Sequence, residues 1–106
     1  MITKDQLFTA ATVKEYEIPG LPEKVLIRTS KHAEVSAWME DDNGDALAVA
    51  ASVVDTEGNP MMTPDEAREN LDSAVFRNLV DAALKANGYD LERLKNLKNL
   101  STPSKS

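Results

Sequence analysis

Residues 73–88 read SAVFRNLVDAALKANG, and this stretch decides the fold. Val75, Phe76, Leu79, Val80, Ala83 and Leu84 recur at i, i+1, i+4, i+5, i+8 and i+9, which is one broad apolar face of an α-helix. Arg77, Asn78, Asp81 and Lys85 fall on the other side. Asp72 or Ser73 is placed to accept from the N–H groups of the first turn. Gly88 stands where a left-handed residue closes the last turn without steric cost. Burying a full Val, Leu or Phe side chain is worth about 1.5–3 kcal/mol, so this face is expected at the centre of the core. No catalytic constellation lies on the helix or beside it.

Working outward, the 106 residues suffice for one domain with a single core. Residues 1–100 are expected to form it, with 101–106 a disordered polar tail. The absence of cysteine excludes disulfides, thiolate catalysis and cysteine-type metal sites. Eighteen acidic residues against twelve basic leave a formal charge of −6, a balance that repels phosphate backbones and anionic membranes. No apolar run approaches the ~18–20 residues that span a bilayer, and the N-terminus MITKDQLFTA lacks the pattern of a signal peptide. A soluble cytoplasmic protein is the expectation.

Before the central stretch, Thr3 and Gln6 fit a capping box opening a short helix, whose Leu7 and Phe8 either tuck under the domain or anchor a frayed terminus. Residues 13–18 alternate, with Lys14, Tyr16 and Ile18 on one side; Pro19, Gly20 and Pro22 interrupt them, and residues 24–28 (KVLIR) read as a second strand. The result is a hairpin with a loop of four to five residues, laid on helices because two strands alone are marginal. Ser30 is a candidate N-cap for residues 31–40, with Val35, Trp38 and Met39 on one face. Residues 42–45 end that helix. The run ALAVAASVV (46–54) reads as a buried helix whose last residues, 52–54, are alternatively a short strand. Residues 55–60 form a turn, and Met61 and Met62 follow as apolar anchors. Thr63-Pro64-Asp65-Glu66 is the strongest local signal: cap, first-turn proline and capping-box acid. That helix runs to about residue 71. Past Gly88, Asp90 caps a last helix over residues 91–100, carrying Leu91, Leu94, Leu97 and Leu100 three residues apart. The fold class is therefore α+β, mostly α-helical, an N-terminal β-hairpin packed on four to five short helices.

Candidate sites are few. His32 stands alone and reads as a solvated helix residue. The acids Glu40, Asp41, Asp42 and Asp45 miss calcium-loop spacing, because Gly44 at the sixth position puts Met39 at the first. Asp55 and Glu57 fail the same test, with Val53 at the first position. No phosphate loop, nucleophile elbow or zincin motif occurs. No catalytic, cofactor-binding or metal residue is assigned. Trp38 reads as core or as an interface anchor. The leucine row 91–100 reads either as a surface for a partner or as packed back onto the central helix.

The order of pieces resembles the tail assembly chaperones of long-tailed bacteriophages, over roughly residues 13–100. The likeness is carried by Ile18-Pro19-Gly20 and Val25-Leu26-Ile27-Arg28 in the hairpin and by Trp38 on a short helix. It continues through Val54-Asp55-Thr56-Glu57-Gly58-Asn59-Pro60 and Met62-Thr63-Pro64-Asp65-Glu66 to Lys85-Ala86-Asn87-Gly88-Tyr89-Asp90 and the Lys/Asn-rich terminus. The aromatic usual after the Gly-x-Pro turn stands here as Met61-Met62, a departure. The resemblance implies a non-catalytic protein of the host cytoplasm. Such a protein binds the tape-measure protein, helps recruit tail-tube subunits and does not remain in the virion. It also implies a longer form made by ribosomal frameshifting. Leu94-Lys95-Asn96 or Leu97-Lys98-Asn99 would then be encoded with a slippery A AAA AAC, followed by an open −1 frame. Self-association suits a protein that coats a long partner. The competing reading is an antitoxin-like adaptor that binds one folded protein at fixed stoichiometry. Small nucleic-acid binders and hydrolases are disfavoured by charge and by the lack of a nucleophile–base pair.

Overall fold

The computed structural model describes residues 1–89. The expected Asp90 cap, the helix over residues 91–100 with its leucine row, and the tail 101–106 lie outside the described residues. Within them, helix α1 (Lys4–Thr9) precedes a hairpin of β1 (Val13–Tyr16) and β2 (Val25–Arg28). Helices α2 (His32–Glu40) and α3 (Gly44–Ser52), strand β3 (Val53–Val54), and helices α4 (Pro64–Asn70) and α5 (Ser73–Ala86) follow. The sheet is antiparallel in the order β1-β2-β3, with Tyr16 opposite Val25, and Ile27 opposite Val53. This is the mostly helical α+β fold expected from sequence.

Helix α5 forms as its sequence dictates. The Asp72 carboxylate accepts from the amides of Ala74 (3.0 Å) and Val75 (3.4 Å). At the other end Gly88 is left-handed (φ +88°); its amide donates to the Lys85 carbonyl at 3.0 Å, and the Tyr89 amide reaches the Leu84 carbonyl at 2.9 Å. Those two bonds are a Schellman closure, and they satisfy carbonyls the helix leaves open. Val75, Leu79, Val80 and Ala83 are buried, Phe76 and Leu84 half-buried, and Ala82 joins the core as well.

The hub of the core is shared with α3, which packs against α2, α4, α5 and the sheet. Its alanines let four neighbours approach one short helix. Val49 and Ser52 are fully buried. Asn87 locks the assembly: its Oδ1 accepts from the Ser30 amide at 2.7 Å and its Nδ2 donates to the Ala83 carbonyl at 2.8 Å. Asn78 likewise donates to the Pro19 carbonyl at 3.0 Å, holding the hairpin loop on α5.

Several expectations are corrected. The capping box of α1 forms, Thr3 and Gln6 exchanging bonds of 3.2 and 2.9 Å. Leu7 and Phe8 nevertheless do not tuck under the domain; they are 59 % and 65 % exposed, because α3 and α5 already cover the inner face of the sheet. The strands are joined by residues 17–24, longer than the expected loop, because Ile18 leaves the ladder to enter the core. Ser30 is not the cap of α2. Its amide is held by Asn87, and the helix starts one residue later, with the Lys31 amide donating to Glu34 Oε1 at 3.2 Å. Met39 is exposed, since α2 packs chiefly on α3 and buries only the narrow Val35–Trp38 row. Gly44 is the first residue of α3 and not part of a loop. The run 46–54 divides into helix to Ser52 and strand over Val53–Val54. Met61 is exposed while Met62 packs on the core. Val54 bridges Pro60 and the Met61 amide donates to Val53, so residues 60–62 are extended and their side chains alternate.

Candidate partner-binding groove

Helices α2 and α3, the extended segment after Pro60 and the start of α4 line a shallow, open apolar groove of about 540 Å³. One wall is Glu34 and Ala37 on α2. The floor is the edge of Trp38 with Leu47, Ala50 and Ala51 of α3. The far wall is Pro60, Met62, Thr63 and Pro64. The local reasons are separate. The Asp55 side chain accepts from the amides of Glu57 (2.9 Å) and Asn59 (3.0 Å), closing the turn that brings Pro60 back beside β3. Thr63 and Glu66 then exchange capping bonds of 3.1 and 2.9 Å, which start α4 at Pro64. These bonds consume the amides of Thr63 and Glu66, so that wall presents an apolar face.

The alanines make the hollow. At 37, 50 and 51 the side chains end at Cβ, so the larger neighbours Trp38, Leu47 and Met62 stand around a depression. Glu34 is the one ionisable residue lining it, and Asp65 and Glu66 follow directly after Pro64. An apolar trough with acidic flanks fits a ridge of aliphatic side chains on a helix. Among its lining residues there is no nucleophile–base pair.

Trp38 is core by burial, at 8 % exposed, packed with Val35, Ala48 and Ala83. One edge still reaches the groove, so the two readings of this residue meet at one side chain. The expected contact residues Leu91, Leu94, Leu97 and Leu100 lie outside the described residues. His32 is exposed on the surface of α2, with Ser36 Oγ 3.4 Å from its Nε2. Glu40, Asp41, Asp42 and Asp45 are exposed; Asp41 accepts from the Asn43 amide at 2.7 Å. Among the described residues no group of three or more acids or histidines is arranged to hold a metal ion, and no helix is long and apolar enough to cross a membrane. Sequence reasoning did not single out Ala37, Ala50 or Ala51, and it read Pro60 only as the end of a turn. The only signal for them is a run of small residues followed within ten positions by Pro60-Met61-Met62. No protein-family model matches the chain, and no curated protein or solved structure matches it significantly.

Proposed function

We propose that the protein is a non-catalytic chaperone whose Trp38 groove receives apolar helical ridges of a long partner, the tape-measure protein of a long-tailed bacteriophage. The observation that carries the reading is the apolar trough of Ala37, Trp38, Leu47, Ala51 and Met62 in a chain of net charge −6. The likeness to tail assembly chaperones supplies the identity of the partner. Three leucines entering the groove would contribute about 5–9 kcal/mol gross. Immobilising the partner offsets about 4 kcal/mol or more of that. One groove therefore holds one ridge weakly, and many copies along a long chain hold it firmly, which is how a coating chaperone works. Tail-tube recruitment through a frameshifted longer form, action in the host cytoplasm, and absence from the virion belong to the same proposal.

Co-expression with the tape-measure protein of the same genome tests it. The expected result is a soluble tape-measure protein that copurifies with this chain. Ala37→Glu, at an exposed position of α2, should leave folding intact and remove copurification. A tape-measure protein that stays insoluble beside folded wild-type chain refutes the reading. Recovery of one folded partner at fixed stoichiometry would establish the adaptor function instead.

A further inference from the structure

We propose that the hollow between α1 and the β2–α2 corner is a second binding site, and that it takes an acidic segment of a partner protein, one with large apolar side chains beside its carboxylates.

The hollow has a volume of about 620 Å³. One side is α1, with Leu7 and Phe8; the other is the turn from β2 into α2, with Arg28, Lys31 and His32. No acid lines it, the reverse of a chain whose formal charge is −6. Lys4 adds a further cation, its Nζ 5.9 Å from the centre of the Phe8 ring. The acids nearest along the chain are Asp5 on α1 and Glu34 on α2. Neither lines the hollow, and Glu34 Oε1 accepts from the Lys31 amide at 3.2 Å. Among the described residues the ion pairs are Lys24–Glu15 and Arg68–Asp65, so within them Arg28 and Lys31 have no carboxylate partner.

Helix α1 supplies an independent observation. Six residues are too few for a helix to hold by itself in water. Yet α1 has a complete capping box, buries no residue and leaves Leu7 and Phe8 exposed. Its exit is fixed beside the hollow: the Thr29 amide donates to the Thr12 carbonyl at 2.9 Å, and the Thr12 amide donates to Thr29 Oγ1 at 3.0 Å. The fold thus sets two apolar side chains against a group of cations and covers neither. One occupant covers both: a segment whose apolar residues meet Leu7 and Phe8 and whose carboxylates meet Arg28 and Lys31. Because these side chains are all exposed, the hollow is open to solvent along its length. A peptide can lie in such a trough, whereas a lipid tail needs an enclosed one.

The Trp38 groove, farther along α2, has the opposite flank, with Glu34 on its wall. The two sites therefore sort segments by charge, neutral or basic ridges to the groove and acidic ones to the hollow. The inference does not rest on what occupies the groove.

Fluorescence anisotropy of the full-length protein, with a labelled peptide in which Glu and Asp surround a Leu-Phe pair, tests it. Saturable binding that weakens as salt is raised is expected. Replacing the peptide's acids by Gln and Asn should weaken it about tenfold, and so should Arg28→Gln/Lys31→Gln in the protein. Leu7→Ser/Phe8→Ser should cost a similar factor. All four positions are exposed, so both double variants should fold, which the urea midpoint checks. Amide shifts on titration should fall on residues 7–11 and 28–32 and spare residues 47–51 of the groove floor. The inference is overturned by a lack of saturable binding, by undiminished binding to Arg28→Gln/Lys31→Gln, or by shifts centred on the groove. A single-stranded oligonucleotide that binds the hollow more tightly than the peptide also overturns it, because the cations then serve phosphate. The titration uses no tape-measure protein, so this inference and the chaperone reading fail separately.

Discussion

A methyl group added at Gly44 should break the α2–α3 corner. A Cβ built there overlaps the carbonyl group of Trp38, and the obstacle is backbone, which no rotamer change can move. Gly44 has no positive φ, so the conflict is purely one of space. The ordinary expectation for Gly→Ala near a helix start is a gain of up to about 0.5–1 kcal/mol from backbone entropy. Overpacking a tight site costs about 1–3 kcal/mol, and an obstacle that cannot rotate puts Gly44 at the upper end. The net expectation for Gly44→Ala is a loss of about 2 kcal/mol, opposite in sign to the intrinsic effect. With a urea slope of about 1–3 kcal/mol per molar, the midpoint should fall by roughly 1 M. Trp38 is the natural reporter, since its own carbonyl is the group displaced. Gly88→Ala is the comparison: it has φ +88° and, among the described residues, nothing within 4 Å of an added Cβ, so its loss of about 1 kcal/mol should come from conformation alone and leave the Trp38 spectrum untouched. A Gly44→Ala protein with an unchanged or higher midpoint would refute the corner as described.

Asn87→Ala removes both lock bonds and leaves the Ser30 amide without its acceptor; a loss of about 2 kcal/mol is expected, with faster hydrogen exchange at Ser30. Ser52 Oγ is buried without a hydrogen-bond partner among the described residues, so Ser52→Ala should raise stability by about 1 kcal/mol in the same urea titration. The two capping boxes should behave differently. Thr63→Ala should cost about 1 kcal/mol of global stability, because α4 buries Ala67 in the core. Thr3→Ala should leave the urea midpoint within about 0.5 kcal/mol, because α1 has no buried residue; only the exchange of its own amides should change.

What the sequence made legible was local. The Gly88 closure and the Thr63–Glu66 box each lie within a few residues and form as read, and of the two caps open to α5, Asp72 and Ser73, the structure uses Asp72. The apolar periodicity of α5 was long enough to place its buried face without tertiary knowledge. Legibility failed where a distant segment made the decision. Leu7 and Phe8 carry the same hydrophobicity as core residues, but the surface they would have covered is taken by α3 and α5. Ser30 was a sound N-cap by type, and lost that role to an amide 57 positions away. Spacing from Val35 and Trp38 put Met39 inward and residue type did the same for Met61, and the narrow stripe of α2 and the alternation beside β3 turned them out. The groove was the least legible feature. It joins residues 34–38, 47–51 and 60–64, and alanine signals a hollow only once the larger neighbours around it are known.

The place of α5 late in the chain, after the sheet it packs on, has a consequence for synthesis. The hairpin is complete by residue 28, yet its partners Asn78 and Asn87 follow 59 and 57 positions after the residues they hold. Helix α3 can reach the inner face of the sheet first; at about 5–20 residues per second, the part that α5 covers waits roughly 3–12 s. During that interval Ile18, Ile27 and Val53 face solvent or another nascent strand. A chain cut short before residue 73 therefore keeps Ile18 and Ile27 without the helix they pack on, and becomes an adhesive product.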